Sequence, residues 1–344
     1  MSIQGAEHVG ITFASLMGSG PSRALDVART SAELGYGSFW TAETTGPEAF
    51  SLLGAAGAAA APIRPGMGLG TGVLALQLRT PMVVAMAGAT LQALHPDSDI
   101  LLGVGISSPV VASRWHGASY SDRPLAQVRE YLTVLQACLS GESVTFAGDF
   151  YRCDRFKLGV RLGERRPKVV LGALNPRMLA LAGELADGVL LNYVPAAHVG
   201  WSVEHVRAGE AAAGRAAGST TVYGYVHVGV GDRADATEPA RRDLFGYAVV
   251  DAYAANFERA GFADEVAAIR EHHAAGDRDA ALAAVSDAMI DAIDVVGDAD
   301  HVRATVQAYV DGGVEVPVIM PLPWGPDRNA VIADTLQACS PGAR

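Results

Sequence analysis

Short apolar runs alternate with longer stretches of helical periodicity along most of this chain. Val9 to Phe13 is one such run, and Pro21 then opens a pattern in which Leu25, Val27, Ala28 and Leu34 recur at helical spacing until Gly35. Phe39 to Ala42 with a helix from Pro47 to Ala61 makes a second unit. Met67 to Val73 with a helix from Pro81 to Leu94 makes a third. Ile100 to Val104 leads through a long loop containing Trp115 and His116 into a helix from Pro124 to Leu139. Val169 to Gly172 precedes a helix with Pro176 in its first turn, where proline is pre-organised. Val189 to Leu191 precedes an alanine-rich helix between Ala197 and Ala217, and Val222 to Val230 and Val316 to Leu322 bring the β runs to eight.

Strands alternating with helices predict a parallel sheet, and near-continuous apolar strands predict that helices cover it. An eight-stranded βα barrel, a (β/α)8 TIM barrel, is the leading fold, with a doubly wound open sheet second. Two segments exceed the repeat: Gly141 to Pro167, and a mostly helical stretch from about Gly231 to Asp298. Neither is expected to carry a strand set of its own. Residues 1–344 therefore read as a single barrel domain with insertions, the larger one before the last strand.

The composition narrows the function. A net charge of −11 and half of the residues hydrophobic oppose a nucleic-acid or anionic-membrane surface and supply a large core. The most apolar stretch, Leu52 to Ala61, is too short to span a bilayer, and no basic start followed by an apolar run marks a leader, so a cytoplasmic protein is expected. Cys138, Cys153 and Cys339 match no metal spacing and read as reduced, buried thiols. The nine histidines form no HExxH and no close carboxylate cluster along the chain, so no metal is expected. His227 falls inside a β run, where a hydrogen-bonded core histidine is the simpler role, and no GxSxG elbow occurs.

The candidate chemistry lies at strand ends, where βα barrels place their reactive groups. Gly68-Leu69-Gly70-Thr71-Gly72-Val73-Leu74 looks like a buried strand that sheds its side chains, as expected where a flat ligand lies against backbone. Glu43, directly after the Phe39-Trp40 run, is either a proton-transfer group or a salt-bridging carboxylate, the two readings being about even. Gly172-Ala173-Leu174-Asn175-Pro176 puts backbone amides at a helix start, a generic anion seat. Gly103-Val104-Gly105 begins like a dinucleotide fingerprint, but Ser108 stands where the third glycine belongs.

The order of these motifs resembles the bacterial luciferase-like superfamily. Gly35-Tyr36-Gly37-Ser38-Phe39-Trp40-Thr41-Ala42-Glu43, Gly68 to Val73, Arg79-Thr80-Pro81, Leu102 to Gly105, Arg123-Pro124-Leu125, Gly141-Glu142, Phe150-Tyr151, Ala186-Asp187-Gly188 and Asn192 carry the likeness over roughly the first 200 residues. Thr41-Ala42-Glu43-Thr44 and Gly105 to Val111 suggest the branch that uses coenzyme F420, a deazaflavin, rather than the branch that uses reduced FMN.

The resemblance implies a barrel with an insertion before its final strand and a non-prolyl cis peptide at Gly72-Val73 beneath the ring. It assigns Thr71, Gly72, Val73, Gly105, Ser107, Ser108, Gly172, Ala173, Leu174, Asn175 and Asn192 to the cofactor, with the phosphate at Gly172 to Asn175. Glu43 and Thr44 are the catalytic candidates; Trp115, His116 and Tyr193 face the substrate. Relatives often carry a histidine where Thr44 stands, so the proton donor passes to Glu43, Tyr193, His116 or a substrate group. The function implied is hydride transfer between reduced F420 and an unsaturated C=C, C=N or C=O small molecule. A reduced-FMN monooxygenase is the alternative, and a non-catalytic flavin-binding relative the third reading. A homodimer is expected from the resemblance.

Overall fold

The computed structural model describes residues 3–342. Eight parallel strands form its centre: β1 (Gly10–Thr12), β2 (Ser38–Thr41), β3 (Gly68–Thr71), β4 (Ile100–Gly105), β5 (Lys168–Gly172), β6 (Gly188–Leu191), β7 (Thr221–Val230) and β8 (Val316–Pro321). Each hydrogen-bonds to the next in chain order, and β8 returns to β1 through Gly10↔Val318 and Ile11↔Ile319. The sheet is therefore closed as a (β/α)8 barrel. The open doubly wound alternative falls, because a closed sheet has no point at which strand order reverses.

Local chemistry starts the helices where the sequence pattern puts them. Helices Pro21–Glu33, Pro81–Leu94, Pro124–Leu139 and Pro176–Leu185 each begin on proline, whose missing N–H costs nothing in the first turn. Glu48 caps helix Ala49–Ala60 by accepting from the Phe50 and Ser51 amides. Strand residues then alternate between two cores, as a side-chain period of two requires. Phe39, Val169 and Leu171 pack outward against helices. Trp40, Val170, Leu190, Tyr223, Tyr225, Val318 and Met320 fill the barrel interior.

Two expectations need correction. The segment from Gly141 to Pro167 carries strands after all, an antiparallel hairpin of Val144–Ala147 with Arg152–Phe156. Its alternating burial is masked in sequence by Arg152, Asp154 and Arg155, which face solvent. The larger insertion holds helices Arg233–Ala248, Asp251–Phe257, Ala263–Ala274, Arg278–Ala283 and Asp287–Ile293, but ends in a short strand, Val295–Gly297, parallel to the end of β7. Its own apolar cluster, including Leu244, Phe257, Ile269 and Ile290, reaches the barrel at Tyr193.

The three cysteines are unpaired. No described helix is long and apolar enough to cross a membrane.

Candidate functional site

The glycines of β3 and β4 turn out to serve the protein's own packing before any ligand. A methyl group at Gly70 would meet the Trp40 ring at 2.4 Å, one at Gly72 the Tyr225 hydroxyl at 2.0 Å, and one at Gly103 the Thr71 carbonyl at 1.7 Å. Trp40 on the neighbouring strand needs that space at Gly70, Tyr225 from across the barrel needs it at Gly72, and the close approach of two strand backbones needs it at Gly103. The peptide from Gly72 to Val73 is cis, at the position expected. Tyr225 donates to the Gly72 carbonyl at 3.0 Å and accepts from the Thr12 hydroxyl at 3.1 Å, so a buried polar chain fixes this corner from below.

Above that corner the strand ends open into a cleft with two lobes. One lobe, of about 680 Å³, is bounded by Glu43, Thr44, Trp115, Tyr193, His227, Asp243, Tyr247 and Trp324 among others. The other, of about 470 Å³, is bounded by Gly105, Gly172 to Asn175, Arg177 and Met178. Both are within the usual size of a ligand site. Gly72, Val73, Ser107, Ser108, Asn192 and Tyr253 border both lobes, so the cis corner lies between them.

Thus Gly72, Val73, Gly105, Ser107, Ser108, Gly172, Ala173, Leu174, Asn175, Asn192, Trp115 and Tyr193 are all brought to one cleft. Thr71 and His116 are not. The Thr71 side chain is fully buried and donates to the Gly103 carbonyl at 2.8 Å, a strand-to-strand contact. His116 is exposed, with Nε2 2.6 Å from the Thr44 carbonyl, and pins one loop to another outside the cavity wall.

The smaller lobe has the makings of an anion seat. Asn175 precedes helix Pro176–Leu185 yet does not cap it; its Oδ1 instead accepts from Arg259 at 2.7 Å. The first turn is left without a side-chain acceptor, and Arg177 adds a cation beside it. Arg259 also reaches the Leu174 carbonyl at 3.3 Å and stacks on Trp201, bracing the loop from behind; burial depresses its pKa. Its Nε is buried without a partner.

Glu43 follows the salt-bridging reading. Arg79 grips it through two parallel hydrogen bonds of 2.8 and 2.6 Å, and the Ala49 amide adds a third at 3.3 Å. Arg79 also pairs with Glu48 at 2.5 Å, and its pKa is raised chiefly by the hydrogen bond to Glu43. Both carboxylate oxygens are committed to donors, which suits holding the loop after β2 more than releasing a proton. Thr44 lines the larger lobe, but an alcohol is too weak an acid to replace a histidine.

The sequence reading missed the polar group at the floor of the larger lobe. Tyr223, Tyr225 and His227 alternate along β7 and so share its inward face. His227 is 2 % exposed; its Nδ1 lies 3.0 Å from Asp294 Oδ1 and its Nε2 2.8 Å from Asn192 Oδ1. The expected core histidine is therefore present. Asp243 joins it, so that ligand-type atoms of His227, Asp243 and Asp294 all lie within 4.8 Å of one another. This corrects the expectation of no close carboxylate cluster, since residues 227, 243 and 294 meet only in the folded chain. Tyr193 donates to Asp243 Oδ2 at 2.7 Å, with its backbone at φ +55 and its ring 3.9 Å from that of Tyr247.

Burial raises the pKa of both aspartates, and their mutual proximity adds to it for Asp243. Burial lowers His227 to about 4. The β7 alternation was the one signal available in sequence; nothing marked Asp243 or Asp294 among the many charges of the insertion.

Residues 7–315 match the family model described as luciferase-like monooxygenase. The chain belongs to that family. Among luciferase-like relatives, a Mycobacterium tuberculosis protein provisionally named a coenzyme F420-dependent oxidoreductase is 29% identical over 320 residues, covering 87% of this chain and 90% of its own. A 5,10-methylenetetrahydromethanopterin reductase of Archaeoglobus fulgidus is 29% identical over 269 residues, covering 77% and 79%. The solved coenzyme F420-dependent tetrahydromethanopterin reductase of Methanopyrus kandleri superimposes with a TM-score of 0.75 at 21% identity over 97% of this chain and 98% of that one. That last likeness establishes the barrel, in agreement with the closed sheet.

Proposed function

We propose that this chain is an F420-dependent oxidoreductase that moves a hydride between the reduced deazaflavin and an unsaturated C=C, C=N or C=O group of a small molecule. The observation that carries the reading is the two-lobed cleft, with Gly72 and Val73 at its junction and an uncapped helix start at one end. The curated relatives named for F420 or methylenetetrahydromethanopterin reduction, similar over most of both chains, support the choice of cofactor.

In this reading Gly172 to Asn175 and Arg177 hold the phosphate, while Gly72, Val73, Ser107 and Ser108 border the ring. Arg259 keeps the phosphate loop in place, and the Glu43–Arg79 pair keeps the loop after β2 in place. Thr44, Trp115, Tyr193 and Tyr247 wall the substrate lobe and exclude water from it. The bound deazaflavin supplies the two-electron chemistry; the barrel supplies orientation and a proton. We read residues 1–344 as one barrel domain with its insertion.

Titration of the purified protein with F420 and with FMN, followed by fluorescence, tests this. Saturable F420 binding supports it, and tight FMN binding with none of F420 overturns it. The family description favours one alternative, a reduced-FMN monooxygenase. Oxygen consumption coupled to a flavin reductase would establish that alternative.

A further inference from the structure

A hydride added to a double bond needs a proton for the other atom, and neither obvious donor after β2 suits the task. Glu43 is locked to Arg79, and Thr44 is an alcohol. Among the described residues, the wall of the larger lobe offers one other carboxyl group, Asp243 on helix Arg233–Ala248 of the insertion.

We propose that Asp243 is the proton donor of this cleft. It reaches the larger lobe, accepts from Tyr193, and sits against Asp294, whose Oδ2 is buried without a hydrogen-bond partner. The proposal rests on the redox reading above.

One protonation pattern of this network places protons on both aspartates. Neutral imidazole has a single N–H, yet His227 has an oxygen neighbour at each nitrogen. A protonated Asp294 donates to Nδ1 while Nε2–H donates to Asn192. Asp294 Oδ2 then remains an acceptor without a donor, and Asp243 is the carboxyl group that lies beside it, with ligand-type atoms of His227, Asp243 and Asp294 within 4.8 Å of one another.

The groups facing the pair are His227, Tyr193, Tyr247, Tyr253 and Tyr309, and among the described residues no lysine or arginine pairs with either aspartate. Nothing nearby stabilises two carboxylates together, in keeping with the upward shift of both.

The step balances simply. One atom of the substrate double bond gains the hydride and with it two electrons, leaving the deazaflavin oxidised. The other atom gains the Asp243 proton. Asp243 is left as a carboxylate to which Tyr193 already donates, and solvent reprotonates it once product has left the lobe.

The test does not require the substrate. Infrared titration of the cofactor-free protein should show protonated-carboxyl absorption that persists to neutral pH and is diminished in D243N and in D294N. Carbodiimide with glycinamide at neutral pH should label Asp243, with F420 blocking the reaction. Tyr193→Phe keeps both carboxyls and should carry the infrared band to higher pH, because it removes the donor that favours the carboxylate. An Asp243 already ionised at neutral pH overturns the proposal. So does a divalent metal that copurifies and is lost in D243N. Failure of F420 to bind would instead overturn the redox reading and leave the infrared result intact.

Discussion

The two walls of the cleft are built on opposite principles. The wall from β3 to β5 is backbone and glycine, shaped by what is missing: Gly72, Gly105 and Gly172 crowd around Val73 and the Tyr225 hydroxyl. The wall from β6, β7 and the insertion is side chain, made of Tyr193, His227, Asp243, Tyr247 and Tyr253. The first can recognise a flat shape and an anion but can move no proton. The second can hold charge and protons but needs distant segments to assemble. Orientation and acid–base chemistry are thus divided between the walls.

The largest expected effect is on the backbone wall. Gly103→Ala sets a methyl group against the Thr71 carbonyl, which cannot yield, and should cost more than about 3 kcal/mol, read as loss of soluble protein or a fall in the urea midpoint. Gly54→Ala, with its nearest neighbour 4.0 Å away inside helix Ala49–Ala60, should be neutral or slightly stabilising. Equal effects of the two would refute the packing account of the strand glycines.

The side-chain wall should reveal itself through pH. Asp243 and Asp294 hold protons more tightly when folded, so their contribution to stability falls as pH rises. His227, depressed to about 4 from 6.5, acts in the opposite sense below pH 6.5 and not above it. Between pH 6.5 and about 8 the aspartates act alone. Unfolding free energy should drop there by up to about 2 kcal/mol. Denaturant melts of the wild type against D243N/D294N would show whether the slope belongs to this pair.

Smaller effects sharpen the division of labour. Glu43→Gln should cost about 1.5 kcal/mol of stability through the Arg79 contact while leaving the infrared carboxyl band unchanged; a lost band would return Glu43 to the proton path. Arg259→Gln should weaken F420 binding roughly fivefold, about 1 kcal/mol, by loosening Asn175, and should leave the urea midpoint nearly in place.

The barrel was legible because each strand is a contiguous apolar run and most barrel helices start on their own proline or acid, as at Pro81, Pro124 and Glu48. The hairpin at Val144–Phe156 escaped, since a surface ribbon rich in arginine and aspartate buries too little to show a pattern. Strand ends at Gly72-Val73, Ser107-Ser108 and Gly172-Asn175 were legible for a related reason: in a βα barrel, position along a strand is position in the site. Thr71 was misjudged because it is one residue too early, where the side chain belongs to the sheet.

Sequence alone thus laid out the eight strand runs, the glycine-bearing strand ends and the family resemblance, all properties of local runs, while the pairing of β8 with β1 closed the sheet. Only the tertiary structure decided that Glu43 is held by Arg79, thirty-six positions away. It alone decided that Asp243 and Asp294, from different parts of the insertion, meet His227 beneath the cleft. The reason is that a carboxyl group's chemistry is set by its neighbours and its distance from water, and in this fold those neighbours come from elements remote along the chain.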